Sequence, residues 1–425
     1  MKCLWAGLIL LVGCSPTYLI KKEIRNTENA LQDHVGFYLV DLSSNKTLID
    51  FNGAKYFTPA SNTKIFTFYT SLRLLGDSVT SLKYFQTGDS LIFQGTGDPS
   101  FLYKNVFDNG RVYQFLKDHP AKLFYSNKNF QTETFGPGWA WDDYNYDYSS
   151  ERSPFPIYGN LISVQHPQPE LFTIQPFRFS SDFHISNETH PDEEIIRGID
   201  SNELIYYIGK NKSKSFTIPF RTSSDLFTDL LSDTLHRSVE EINKPIPQNS
   251  LVLKSIPTDS LYRVMMQDSD NFISEQLLLQ CAALVSDTLK PEIAIRYSKK
   301  KLLADLPDSM QWVDGSGLSR YNLFTPRSIV ELWKKIYLVV PQERLFNLLA
   351  TPGKNGTLKK WLKTEVPYIF GKTGSLSNVR ALSGYLITKK NKILIFSFMN
   401  NNFTVTGTEV RARVEKILKQ VHDKY

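Results

Sequence analysis

Ser61 and Lys64, in the stretch Pro59-Ala60-Ser61-Asn62-Thr63-Lys64, place a hydroxyl three residues before an ammonium. Residues at this spacing share a helix face, so the two groups can come within hydrogen-bond reach. The residues that follow, Ile65-Phe66-Thr67-Phe68-Tyr69-Thr70-Ser71-Leu72, are mostly apolar on all sides and predict a buried helix. A lysine at the head of such a helix loses hydration, which lowers its pKa toward that of a working base. Ser61, near the helix N-terminus, would also find backbone N–H groups and the positive end of the helix dipole. Alone, the tetrad equally describes a solvated helix start capped by serine. Its meaning depends on its company.

Two further clusters supply that company. Ser269-Asp270-Asn271 immediately precedes a helix-like run beginning at Phe272, and Lys372-Thr373-Gly374-Ser375 precedes a strand. A second lysine near Lys64 would disfavour its charged form. Other candidates fall away. Gly95-Thr96-Gly97 lacks the lysine of a phosphate loop, and the seven histidines are scattered without a His-Glu-x-x-His pattern. No metal and no cofactor is expected.

Composition bounds the classes of function. The chain has 425 residues, 41% apolar and 22% charged, a globular composition with room for two or three domains. A net charge of +6, spread along the sequence, does not point to nucleic acid. The apolar run Leu4–Val12 is too short to span a bilayer and reads as the core of a signal peptide. Leu11-Val12-Gly13-Cys14 resembles a bacterial lipobox, which would leave residues 1–13 as the signal and lipidate Cys14 as a membrane anchor. Such a protein would lie in the periplasm, tethered to a bacterial membrane, with the outer membrane favoured. Cys281 would then be the remaining thiol, a buried structural residue.

The elements that must position these residues follow from periodicity. Residues 14–32 read as a tether or lead-in helix. Phe37–Leu42 and Lys46–Phe51 flank Ser43-Ser44-Asn45 as a hairpin, and the Ser61 helix follows. Residues 83–250 are strand-sized runs rich in aromatic and β-branched residues, with Asp225–Leu235 as a single helix, and read as a mostly β insertion. From Ser255 the spacing turns helical: Asp259–Met266, Phe272–Val285, Pro291–Leu303 and Pro326–Tyr337. Arg380–Thr388 and Lys392–Met399 form a second hairpin, and Val410, Val414, Ile417, Leu418 and Val421 stripe a final helix. Residues 33–82 and 251–425 together thus describe an α+β domain, a sheet covered by helices whose first and last segments meet.

Ser-x-x-Lys, Ser-Asp-Asn and Lys-Thr-Gly in this order are the motif set of penicillin-binding proteins and β-lactamases. From about Gly36 to its end the chain resembles the penicillin-binding protein 4 type of D-alanyl-D-alanine carboxypeptidase/endopeptidase, the class C low-molecular-mass group. Gly95-Thr96-Gly97-Asp98-Pro99, Gly138-Trp139-Ala140-Trp141-Asp142-Asp143, Asp314-Gly315-Ser316-Gly317-Leu318-Ser319-Arg320 and Gly356-Thr357-Leu358 belong to the likeness. The stretch between Lys64 and Ser269 supplies the group's large insertion, somewhat shortened.

The resemblance implies a transpeptidase-like fold and a role for each motif residue. Ser61 would attack the carbonyl of the penultimate D-alanine and form an acyl-enzyme, with neutral Lys64 taking its proton. Ser269 would pass a proton to the leaving amine, and Asn271 would hold Lys64 and the substrate amide. Lys372, Thr373 and Ser375, around Gly374, would receive the terminal carboxylate. Backbone N–H groups of Ser61 and Ser375 would form the oxyanion hole. Asp143 and Arg320 would pair with the amine and carboxylate of diaminopimelate. Trp139 and Trp141 are expected in the core, and Gly315 and Gly317 on a tight backbone path. Peptidoglycan stem peptides would be the substrates and β-lactams covalent ligands. No Glu-x-x-Asn deacylating site is evident, which argues against fast β-lactam hydrolysis. The rival readings are a β-lactamase or esterase on the same scaffold, and a non-catalytic cell-wall-binding lipoprotein.

Overall fold

The computed structural model describes residues 16–425 except 107–108, 169–170, 212 and 214. Residues 1–13, read above as a signal peptide, and Cys14 lie outside the described residues. Strands Ile369–Leu376, Val379–Ile387, Ile393–Asn401, His34–Asp41 and Thr47–Phe51 lie side by side in that order, each antiparallel to its neighbour. The first hairpin therefore completes the sheet begun by the last one, through pairs such as Phe37 with Phe398. Side chains alternate between the two faces along each strand. On one face, Phe37, Leu39, Leu382, Leu386 and Phe396 pack against Ile20 and Ile24 of helix Pro16–Leu31 and Val414, Ile417 and Leu418 of helix Gly407–Lys424. On the other, Val40, Ala381, Tyr385 and Ile395 meet a second core containing Phe66, Leu277, Trp333 and Phe324.

That second core belongs to the helices that carry the motifs. Helix Lys64–Leu74 is buried along nearly its whole length and packs on helices Asn271–Ser286 and Pro326–Val339. The Phe66 and Phe324 rings stack with centroids 4.0 Å apart. Cys281 is buried there as a free thiol whose pKa is pushed up to about 12 by burial, so it is chemically inert.

A separate body with its own core interrupts this domain. Its sheet runs Val239–Glu241, Lys122–Tyr125, Ser90–Gly95, Ser78–Thr87, Leu251–Pro257. Two three-stranded sheets extend it: Phe183–Asp192, Leu204–Asn211 and Glu194–Arg197, and Ser215–Pro219, Leu161–Gln168 and Leu171–Gln175. The strands entering and leaving this body pair antiparallel with each other, Leu82 facing Leu253. It therefore begins and ends outside the 83–250 span read from sequence. Local pattern cannot show a pairing between segments so far apart in the chain. The sequence reading gave this region one helix, Ser224–Leu235 in the structure, but Arg111–Asp118 is a second. Its signal is weak: it is two turns long and starts at Gly110, which has a positive φ and no capping side chain.

Candidate active site

Ser61 lies in a single 3-10 turn, Ala60–Thr63, that runs directly into helix Lys64–Leu74. The chain enters this turn through Ala60, which has φ +49°, a conformation costly for a residue with a Cβ. Buried groups hold the turn against the sheet. Asn62 Nδ2 donates to the Lys372 carbonyl at 3.1 Å, Ser383 Oγ donates to Asn62 Oδ1 at 2.6 Å, and Trp333 Nε1 donates to Ser383 Oγ at 2.9 Å. Gly374 permits the close approach, because a Cβ there would sit 2.6 Å from the Pro59 carbonyl.

Lys64 is fully buried. Its Nζ lies 2.6 Å from Asn271 Oδ1, 2.7 Å from the Ser316 carbonyl and 3.0 Å from Ser61 Oγ. The first two contacts are to pure acceptors and occupy two N–H bonds. The third position faces the hydroxyl and can hold a lone pair that accepts the Oγ proton when the amine is neutral. Burial pushes the Lys64 pKa down to about 8, against the carboxylates of Asp314, Glu275 and Asp270, which pull it back up.

Lys372, on strand Ile369–Leu376, is buried and donates to Ser269 Oγ and to the Thr373 carbonyl, both at 2.8 Å. Burial first, and then the charge of Lys64, hold its pKa well below the usual lysine value.

The second motif opens helix Asn271–Ser286. Asp270 caps it, accepting from Ile273 N at 2.8 Å, and Ser269 turns into it with φ +69°. The interrupting body braces this corner. Tyr103 donates its hydroxyl to Asp270 at 2.6 Å, and Asn271 Nδ2 donates to the Tyr148 carbonyl at 2.9 Å. Gly97 and Asp98 serve the same junction: Gln276 Nε2 donates to the Gly97 carbonyl at 3.0 Å, and Ser255 Oγ to Asp98 at 2.6 Å.

The loop Asp314–Arg320 completes the frame. Asp314 accepts from the backbone N–H groups of Gly317 and Ser319, from Asn322 and from Trp139 Nε1. Glu275 Oε1 accepts from Ser316 N at 2.7 Å and so aims the Ser316 carbonyl at Lys64. Behind it Arg152 and Glu275, each 1% exposed, form an ion pair of 3.2 Å. Gly317 has φ +87°, and a Cβ there would run into the Ala60 carbonyl. Gly317→Ala is therefore expected to displace the Ser61 turn. Stability should fall by roughly 1–3 kcal/mol, read as a lowered melting temperature, together with a loss of β-lactam labelling. Unchanged labelling would contradict this tight contact.

These parts border one cleft of about 660 Å³. Its lining includes Ser61, Asp143, Ser269, Asn271, Arg320, Thr373 and Ser375. All ten residues singled out in the sequence thus gather at the cleft or, for Lys64, Lys372 and Gly374, directly beneath it. Asp143 accepts from the Tyr148 hydroxyl at 2.8 Å, and Arg320 reaches the Ser377 carbonyl at 3.3 Å. Trp139 is part-buried, beneath the Arg152 guanidinium and bonded to Asp314. Trp141 departs from expectation: it is 77% exposed, not core, because its short turn runs along the cleft rim with no buried residue. Several positioning groups escaped the sequence reading. Asn62, Glu275 and Tyr148 were given no role, since Tyr148 acts through its backbone carbonyl and the other two through long-range pairing.

Residues 20–425 match the D-Ala-D-Ala carboxypeptidase 3 (S13) family. The chain is 23% identical to Penicillin-sensitive carboxypeptidase A of Dictyostelium discoideum, over 87% of this chain and 83% of that protein. It is 23% identical to D-alanyl-D-alanine carboxypeptidase DacB of Haemophilus influenzae, over 89% and 88% respectively. The crystal structure of penicillin binding protein 4 (dacB) from Haemophilus influenzae superposes with a TM-score of 0.76 at 20% identity, covering 94% of this chain and 98% of that one. A match across nearly the whole length, on a fold that gathers the three motifs, identifies the chain as a member of the D-Ala-D-Ala carboxypeptidase 3 (S13) family.

Proposed function

We propose that this D-Ala-D-Ala carboxypeptidase acts on peptidoglycan stem peptides through an acyl-enzyme on Ser61, and also opens D-Ala-diaminopimelate cross-links. The observation that carries the reading is Lys64 Nζ, buried, anchored by Asn271 and the Ser316 carbonyl, and 3.0 Å from Ser61 Oγ. Neutral Lys64 takes the Oγ proton as the Cα-side carbonyl carbon of the penultimate D-alanine is attacked. The oxyanion settles on the backbone N–H groups of Ser61 and Ser375. The C–N bond then breaks, and the proton taken up by Lys64 reaches the departing amine through Ser269, itself linked to Lys372, so that Lys64 is neutral again for the second half. Water repeats the sequence on the ester and frees Ser61. Asp143 and Arg320, both in the lining of the cleft, hold the amine and carboxylate of a diaminopimelate side chain. β-Lactams acylate the same Ser61 and leave slowly.

The lipobox-like Leu11-Val12-Gly13-Cys14 supports a lipid-anchored periplasmic protein. Among the described residues, no helix is long and apolar enough to cross a membrane.

Purified muropeptides provide the test, with Ser61→Ala as the control. Wild type should convert pentapeptides to tetrapeptides and cross-linked dimers to monomers. Intact dimers beside trimmed pentapeptides would remove the endopeptidase half of the reading. No product from either would remove both.

A further inference from the structure

A smaller cavity of about 70 Å³ lies on the far side of the Thr373–Ser375 strand edge from Lys64. It shares Thr357, Thr373 and Ser375 with the catalytic cleft, and Trp361, Arg380 and Arg411 also line it. Arg380 stands opposite Ser375 in antiparallel register, so both side chains rise from the same face of the sheet. Its guanidinium packs against Gly407, where the last helix begins. Arg411, on that helix, lies over the Trp361 ring at 5.7 Å.

The polar atoms of this pocket are unbalanced. Arg380 Nε and Trp361 Nε1 are both buried donors without a hydrogen-bond partner. Such orphans are costly and uncommon unless something is meant to meet them. The charge next to Arg380 is another cation, Arg411, which together with burial lowers the Arg380 pKa. Two guanidiniums and unmet donors beside a pair of hydroxyls suit a small anion, and a carboxylate meets arginine with good geometry.

We propose that Arg380 is a specificity-determining residue that neutralises the C-terminal carboxylate of the bound peptide at the wall shared by the two cavities, beside the hydroxyls of Thr373 and Ser375. The proposal rests on the peptidase reading of the cleft, and it predicts a preference for peptide acids over peptide amides.

The test compares a peptide ending in D-Ala-D-Ala with the same peptide ending in D-alaninamide, in wild type, Arg380→Gln and Arg380→Lys, with melting temperatures alongside. The acid-over-amide ratio of kcat/KM should fall about tenfold in Arg380→Gln, the loss of one charge-assisted hydrogen bond, with most of the change in KM. Arg380→Lys should keep part of the ratio, because it keeps the charge and loses the fork. A ratio unchanged in both variants, or acid and amide rates falling together, overturns the proposal and leaves Arg380 a structural residue. If Arg380→Gln does not fold, the ratio in Arg380→Lys decides alone. Should wild type cleave neither peptide, the peptidase reading fails separately. The same ratio is then read from acylation by a penicillin and by its methyl ester.

Discussion

Ser61→Ala is expected to take up no fluorescent penicillin, to show no mass increase after exposure to it, and to lose roughly 10⁶-fold in peptide turnover, the scale set by removing a catalytic serine. The prediction is sharp because the cleft holds a second serine beside a lysine. Ser269 Oγ lies 2.8 Å from Lys372 Nζ, as near as Ser61 Oγ lies to Lys64 at 3.0 Å. Distance alone does not choose between them. Surroundings do. Ser61 sits at the head of a buried helix, so the carbonyl it attacks would lie by backbone N–H groups and the positive dipole end. Lys64 has two fixed acceptors that orient a lone pair toward Ser61. Lys372 spends one bond on its neighbour's Thr373 carbonyl and faces the strand edge, where an anionic substrate end would favour its charged form. The Ser61 side chain accepts a hydrogen bond from Lys64, which keeps its two other acceptors, so alanine should change stability by no more than about 0.5 kcal/mol, read as a nearly unchanged melting temperature. Ser269→Ala should keep the label, at a lower rate. Label in Ser61→Ala and none in Ser269→Ala would reverse the assignment of nucleophile and proton shuttle.

How much of this could be read in the chain itself follows from what each feature depends on. Ser61, Lys64, Ser269, Asn271 and Lys372 were legible because each motif is local and its order is distinctive. Their convergence rests on the first and last hairpins sharing a sheet, which the order of elements, a hairpin and helix before the insertion and helices, a hairpin and a helix after it, predicted. Three features were hidden for physical reasons. Ala60 and Ser269 take left-handed backbone angles that sequence rules reserve for glycine or asparagine, so neither turn was visible. The body that interrupts the catalytic domain closes through pairing between residues 78–87 and 251–257, and no local periodicity marks that register. Trp141 is expected in the core, yet a short turn on a cleft rim leaves it 77% exposed while Trp139, two residues earlier, finds Asp314 and Arg152. Hydrophobic type predicts burial only when an element exists to bury it.

The reaction should also follow the protonation of Lys64. Burial holds its pKa down to about 8, and only its neutral form can take the Ser61 proton. At low pH the amine is charged and all three contacts, to Asn271, Ser316 and Ser61, become N–H donations, so Ser61 keeps its proton. The value of kcat/KM should therefore rise with pH, reach half its plateau near 8, and level off above. The sign follows from the cause: burial disfavours the cation, so the base form appears earlier than in free lysine. The carboxylates of Asp314, Glu275 and Asp270 oppose that shift. The charge of Lys64 in turn helps to hold the Lys372 pKa down. Lys372→Met should slow penicillin acylation, because Ser269 loses the amine that donates to it. Lys64→Met should remove the limb altogether and lower acylation by about 10²–10⁴-fold, the contribution usual for a positioned general base. A wild-type profile that stays flat from roughly pH 6 to 10 would be incompatible with an amine of this environment acting as the base. So would a Lys64→Met enzyme that retains the limb, and the proton acceptor would then have to be sought at Lys372.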